Sequence, residues 1–304
     1  MPNGILIVNK PADWTSQDVA AKLRGVFHEK HIGHGGTLDP MATGVLPIFI
    51  GRATRAVPFF EHADKVYEAV LRLGLVTDTQ DITGRTLEAR EAKVTPSQLE
   101  AVLPRFRGQI EQLPPMYSAV KMNGQKLYAL ARQGKEVERQ SRAVTVFELE
   151  AEPAGTGAAC PPDPAAGNEQ PARDYRIHVH CSKGTYVRTL CHDIGAALGC
   201  GGCMAALVRT RAGRYSLRQA YTMEQILSAP NPEALLLPID SLFADRPFCK
   251  LNEAGEQKLR NGASLRTGKL ADGEYRVYGP SGDFLALCAV TAGELRTIKS
   301  FFSV

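Results

Sequence analysis

The sequence contains no apolar run approaching the roughly 20 residues that a membrane-spanning helix needs, which excludes a helical integral membrane protein. Its start, Met1 to Lys10, has one short apolar core, Ile5-Leu6-Ile7-Val8, and no basic residue before it. That is not the pattern of a secretory signal, so the expected location is the cytoplasm. Seven cysteines are an odd number in a chain of 304 residues, which is too large to need disulfide staples, and they fit reduced thiols. Cys200-Gly201-Gly202-Cys203 has Cys-x-x-Cys spacing, but no second pair stands at zinc-ribbon distance. Buried or incidental thiols are therefore expected in place of a zinc or redox centre. No internal repeat is visible.

What is present suits a globular chain. An apolar share of 44% supports a buried core, and a charged share of 22% is ordinary for a soluble protein. The length allows two domains, or one large domain with an appendage. The net charge of +4 is unevenly spread: residues 121–142 carry six Lys/Arg against two acids, and residues 176–218 carry seven against one, leaving −6 on the remainder. Two basic concentrations are the footprint of a polyanion partner, because phosphates attract them and released counterions drive binding. A solvated basic face is the alternative.

Local patterns predict the elements. A short buried strand runs from Gly4 to Asn9, followed by a helix that Thr15 or Ser16 caps and that ends at Phe27. Residues 52–60 read as helical. Lys65–Gly74 alternates, with Tyr67, Ala69, Leu71 and Leu73 on one face, as a half-buried strand does. Thr83-Gly84 suggests a hairpin, and Thr95-Pro96-Ser97-Gln98 and Thr222-Met223-Glu224-Gln225 are capping boxes. Residues 114–124 read as a turn and a strand ending in an Asn-Gly reversal, and Lys126–Gln133 as a basic helix closed by Gly134. Strands follow at 144–149, 175–181 and 204–211, with a helix from Thr185 to near Gly199. Residues 152–173, rich in Pro, Gly and Ala, predict a flexible surface loop. Beyond about Phe248, a helical stretch around Glu253–Arg260 and short strands at 274–278, 285–290 and 295–301 suggest a small barrel.

One stretch has neither helical nor strand period: Gly33-His34-Gly35-Gly36-Thr37-Leu38-Asp39-Pro40-Met41-Ala42-Thr43-Gly44-Val45-Leu46-Pro47. Its glycines allow close backbone approach or positive φ. Pro40 biases Asp39 towards extended geometry. The composition fits a rigid cradle holding one acid against a bulky ligand, or a plain connector whose Asp caps the next element.

This stretch resembles the active-site motif of the TruB-type pseudouridine synthases, with Met41 where a leucine is more usual. Two further segments match the family: Asp64-Lys65-Val66-Tyr67-Glu68-Ala69 and Lys183-Gly184-Thr185-Tyr186-Val187-Arg188-Thr189. The resemblance covers residues 5–150 and 174–245. It implies an α+β catalytic domain, residues 1–245, with a mixed, largely antiparallel sheet and a central cleft; residues 246–304 resemble a PUA-type RNA-binding β-barrel. It also implies isomerisation of a uridine in the TΨC arm of tRNA, without metal, nucleotide or redox cofactor. Asp39 would be the nucleophile or the partner of a cationic sugar, reached by flipping the base out of its stack.

The family's other roles carry over residue by residue. Tyr67 would stack on the uracil and take part in proton transfer at C5. Arg188 would pair with Asp39 and keep it ionised. His34 would fill the gap left by the base, Tyr186 would contact the target nucleotide, and Leu207 would wall the uracil pocket. Lys10, in Asn9-Lys10-Pro11, would support the site or contact a phosphate. No Cys/His/Asp set of ligand spacing surrounds His34, so no metal is expected. Without long basic extensions the chain reads as a stand-alone enzyme, acting as a monomer without guide RNA. Two other readings stand beside it: an RNA chaperone that folds tRNA, and a glycosidic hydrolase, which calls for a second carboxylate.

Overall fold

The computed structural model of the chain describes residues 2–118, 120–122, 124–131, 133–154, 173–268 and 270–303, with residues 121, 122 and 126 described by backbone alone. Alternating and fully apolar strands assemble one large sheet. Its order is Tyr221–Thr222, Gly4–Lys10, Thr43–Ile50, Gly202–Ala212, Lys65–Leu73, Asp174–Cys181, Arg142–Pro153 and Gly108–Gln112. Ile32–His34 adds to Thr43–Ile50, and Tyr215–Ser216 to Gly202–Ala212. Gly4–Lys10 pairs parallel with Tyr221–Thr222, as Thr43–Ile50 does with Gly202–Ala212; the other pairings are antiparallel. The mixed, largely antiparallel sheet expected of the fold is present.

Helices cover one face. Ser16–Phe27 buries Val19, Ala20, Leu23 and Phe27 in the core that holds Leu6, Val8, Leu46 and Ile48. Thr15 is its cap: Thr15 Oγ1 accepts from Asp18 N at 3.0 Å, and the Asp18 carboxylate accepts from Thr15 N at 2.9 Å. Ser16 is thereby free for another task. The second large helix, Val187–Ala197, buries Leu190, Cys191 and Ile194 in the same core. It starts two residues later than its sequence suggests, because Tyr186 is held extended at φ −100° and ψ 106°.

The capping boxes at Thr95 and Thr222 form, opening helices Pro96–Val102 and Met223–Ser228. The Thr83-Gly84 turn lies in a hairpin joining Leu75–Thr77 to Thr86–Ala89. Other expectations shrink. The predicted helix at 52–60 is a 3₁₀ segment, Gly51–Ala56, and one α turn, Val57–Phe60. The strand before Asn123 is only Lys121–Met122, and the basic helix is Leu127–Ala131. Of the predicted loop at 152–173, Glu152 and Pro153 belong to a strand, and residues 155–172 lie outside the described residues.

The opposite face of Gly4–Lys10 and Thr43–Ile50 carries a second core, in which Ile5, Ile7, Val45 and Phe49 meet Phe60, Tyr215 and Phe243. The segment from Phe248 onward forms a five-stranded sheet in the order Phe248–Lys250, Gly273–Tyr278, Phe284–Thr291, Glu294–Ser300, Leu265–Arg266, with helix Glu253–Arg260. Leu259, Tyr275, Val277, Leu285, Cys288 and Val290 fill its own core. Leu287 and Phe301 instead face the second core. The small β module anticipated at this end is thus packed against the main sheet.

Candidate active site

The loop after Ile32–His34 folds back on itself and is tied down on every side. Gly35 N donates to Pro47 O at 2.8 Å, and Ala42 N to Asp39 O at 3.1 Å. Buried Ser16 exchanges hydrogen bonds with the backbone of Leu38, accepting from its N–H at 2.8 Å and donating to its carbonyl at 3.2 Å. The Pro40 carbonyl accepts from Asp13 N at 2.9 Å and from Lys10 Nζ at 3.0 Å. Two glycines are sterically required. A Cβ on Gly35 would stand 2.5 Å from the Phe60 ring, and one on Gly44, at φ +104°, would stand 2.2 Å from Arg209 O.

These ties aim Asp39 at Arg188. Arg188 Nε lies 2.9 Å from Asp39 Oδ2, and its Nη2 donates to Oδ1 at 3.2 Å, a two-point pairing. Arg188 is 5% exposed. Its remaining donors are occupied: Nη1 donates to Thr79 O at 3.0 Å, and Nη2 to Tyr117 O at 2.8 Å. Asp81 Oδ2 stands 3.6 Å from Nη1. Burial pushes the Asp39 carboxyl above the ordinary carboxylate value; Arg188 pulls it down without outweighing burial, and Asp81 pushes it further up. With its side chain 33% exposed, water still screens part of that rise.

Asp39 opens into a cavity of about 360 Å³, lined by Gly35–Asp39, Glu61, Lys65, Tyr67, Ser182–Arg188, Leu207 and Arg209. That is the size of a small-molecule or extruded-base pocket. The three sequence motifs, at 33–47, 64–69 and 183–189, meet here. Strand register supplies the remaining wall: Tyr67 pairs with Arg209, and Ala69 with Leu207. The small Ala69 sits opposite the Leu207 position. Tyr67 is buried, which pushes its phenol up, while Arg209 draws it down. Tyr186 is fixed through its backbone: its N–H donates to Gln112 Oε1 at 2.9 Å, and Gln112 Nε2 donates to its carbonyl at 3.2 Å.

Two expected residues stand elsewhere. Lys10 is 0% exposed, and its ammonium donates to the carbonyls of Pro11 at 2.7 Å, Trp14 at 2.6 Å and Pro40 at 3.0 Å. Burial pulls it down to about 8. Of the two roles expected of Lys10, these contacts fit support of the site, at the peptide that follows Asp39, and not a contact with a substrate phosphate. His34 does not line the cavity; it pairs with Ile48 in the sheet, and its Nδ1 is buried without a hydrogen-bond partner among the described residues. Burial lowers its pKa, with Arg209 acting in the same direction.

Sequence reasoning overlooked Lys65, Asp81, Gln112 and Arg209. Strand alternation carried a signal for two of them, since Lys65 shares a face with Tyr67, and Arg209 shares one with Leu207. Cys203 of the Cys-x-x-Cys pair has its thiol pushed up to about 11 by burial, the opposite of an activated thiolate.

The family model for the TruB family pseudouridylate synthase N-terminal domain matches residues 24–187, and that for the tRNA pseudouridylate synthase B C-terminal domain matches residues 188–244. This chain belongs to the TruB family. A relative from Syntrophomonas wolfei, "tRNA pseudouridine synthase B", is 43% identical over 288 residues, 94% of this chain and 92% of the relative. One of the same name from Francisella tularensis subsp. tularensis is 40% identical over 303 residues, covering 98% and 95%. Among solved structures, a chain of a Cbf5-Nop10-Gar1 complex superposes with a TM-score of 0.70 at 23% identity, over 99% of this chain and 85% of that one, and shows the shared fold.

Proposed function

We propose that this chain isomerises a uridine in the TΨC arm of tRNA to pseudouridine, acting alone and without a guide RNA. The observation that carries the reading is the Asp39–Arg188 pair opening into a cavity of nucleotide size with Tyr67 on its wall. The names of the two relatives supply the substrate class.

The reaction breaks the C1′–N1 bond and rejoins the base through C5. A uridine stacked in the arm cannot reach Asp39, so the nucleotide is flipped into the cavity. There Asp39 meets the reacting nucleotide, as nucleophile or as partner to the cationic sugar, aimed by Arg188. Tyr67 stacks on the uracil and receives the C5 proton, Leu207 closes the apolar side, and Tyr186 contacts the nucleotide. His34, one residue ahead of Gly35 on the cavity wall, fills the gap in the RNA stack. The module from residue 246 onward adds contacts to the tRNA, and the protein works as a cytoplasmic monomer.

A glycosidic hydrolase is the weaker reading, because Asp81, the second carboxylate beside Arg188, is already engaged. Its Oδ1 accepts from Thr79 Oγ1 at 2.9 Å, Thr83 N at 2.9 Å and Thr83 Oγ1 at 2.6 Å, and its Oδ2 faces Arg188. That leaves it no role as a mobile acid or base. The test is incubation with unmodified tRNA followed by mapping of pseudouridine. Wild type is expected to modify one uridine of the TΨC arm, and Asp39→Asn none. Full activity in Asp39→Asn, or release of free uracil, would overturn the proposal.

A further inference from the structure

Arg209 is an expensive residue with no role in the chemistry described so far. It is 1% exposed, and the described residues place no carboxylate in ion-pair contact with it. A buried guanidinium is costly unless each donor is used. Here Nε donates to Val45 O at 2.7 Å, Nη2 to Gly36 O at 3.1 Å and Nη1 to Thr37 O at 3.4 Å. The three carbonyls flank Asp39 in sequence, so one planar fork fixes both arms of the loop that carries it. A clamp alone would account for these contacts. It would not account for two further facts: Arg209 lines the cavity, and its strand register sets it directly opposite Tyr67.

We propose that Arg209 is a positioning residue that acts through Tyr67, locking the Asp39 loop against the Tyr67 strand and holding a positive charge beside the phenol oxygen when that oxygen takes up the C5 proton. The inference rests on the pseudouridine synthase reading. After the base has rejoined through C5, that carbon holds both the new bond to C1′ and its proton. The C5–H electron pair returns to the ring as the proton passes to the Tyr67 oxygen in its phenolate form. N1 gains a proton from solvent, and the phenol gives one back to solvent, so the sum is an isomerisation. Phenolate character must be stabilised inside a buried site. Tyr67 also faces Cys181 on the neighbouring strand and Asp39 across the cavity, and both push its phenol up, as burial does. Among these neighbours Arg209 is the group that favours the phenolate.

The experiment measures single-turnover rates and KM on unmodified tRNA, from about pH 6 to about pH 10, for wild type, Arg209→Gln, Arg209→Lys and each combined with Tyr67→Phe. Arg209→Gln is expected to lower the rate about 100-fold with KM held within about twofold. The rise of its rate with pH should move to higher pH, because the group favouring phenolate is gone. Arg209→Lys keeps the charge and loses the fork, so it should recover about tenfold of the loss and an almost unshifted profile. In the Tyr67→Phe background, Arg209→Gln should cost about tenfold less than it does in wild type, the remaining loss being that of the loop clamp. Losses that multiply in that background, an unshifted profile in Arg209→Gln, or a rise in KM alone would each overturn the proposal. If Arg209→Gln does not fold, Arg209→Lys with and without Tyr67→Phe decides between coupled and multiplying losses. A wild-type chain that makes no pseudouridine would sink the functional reading and this inference together, whereas multiplying losses in an active enzyme sink this inference alone.

Discussion

Opposed fields act on the Asp39 carboxyl, and their signs differ enough to be separated by mutation. Burial and Asp81 raise its pKa, while Arg188 lowers it. If the ionised form is the reactive one, the rate falls as pH drops through a pKa that lies above the ordinary carboxylate value. Removing the guanidinium in Arg188→Gln should move that acid limb to higher pH. Asp81→Asn should move it to lower pH, although the loss of a hold on Arg188 also reduces the maximal rate. The pH dependence of single-turnover rates checks both, and limbs displaced in the same direction would contradict the assignment. Asp39, Tyr67 and Arg188, which meet at the cavity, were picked out because each lies inside a contiguous stretch that resembles a family motif. Arg209 and Lys65 were passed over: alternation sets them on the faces of Leu207 and Tyr67, but a cation by its type reads as solvent-facing. The burial of Arg209 depends on carbonyls that a distant segment supplies, from Gly36 to Val45, whereas Lys65 turns back onto its own chain, donating to Ala63 O and Glu61 O. Of the two duties read for Lys10, support of the site and phosphate contact, the geometry fits the first, and nothing local reveals that three carbonyls enclose it.

Strand register, set by backbone contact as much as by side chains, decides which elements meet at the site. Thr43–Ile50 and Gly202–Ala212 touch through Gly44 and Arg209, where no Cβ fits. Gly44→Ala combines a positive φ with a clash against backbone, and should cost about 3 kcal/mol of stability in denaturant unfolding. Gly33, in the same stretch, has open space around its Cβ position and no such φ. Gly33→Ala should therefore change stability by only about 0.5 kcal/mol. Equal effects at the two positions would refute the register argument. Caps and alternation were readable because their signals are local: the Thr95 and Thr222 boxes each span four residues and form as expected. The start of the second helix was not, because Tyr186 is kept extended by Gln112, a partner 74 residues away.

Charge and packing over the whole molecule revise two inferences that composition supports only in outline. The basic segment 176–218 carries seven cations, but Arg188 and Arg209 are buried, Arg176 pairs with Glu152, and Arg211 pairs with Asp64. Lys183, Arg214 and Arg218 are exposed and are the cations that this segment offers to phosphates. The salt dependence of tRNA affinity should thus be shallower than the segment's charge implies. Lys183→Ala should reduce the slope of log K against log salt by about 1, as read by filter binding. The second revision concerns the β module. The sequence reading sets a boundary near residue 246, yet Leu287 and Phe301 lie in one core with Ile5, Phe49 and Phe243. The Phe243 ring lies 6.0 Å from that of Phe301, and Arg55 Nη1 donates to Ser300 O at 3.2 Å. Each such apolar side chain contributes about 1.5–3 kcal/mol through burial, against a total stability of about 5–15 kcal/mol for a domain. A chain ended after residue 245 would expose Phe243 and its neighbours as well as lose those partners. It should melt at least about 10 °C lower than the full chain, or aggregate. A truncated protein that melts cooperatively within a few degrees of the full chain would mean that the shared core adds little, and that the module is held on chiefly by its linker.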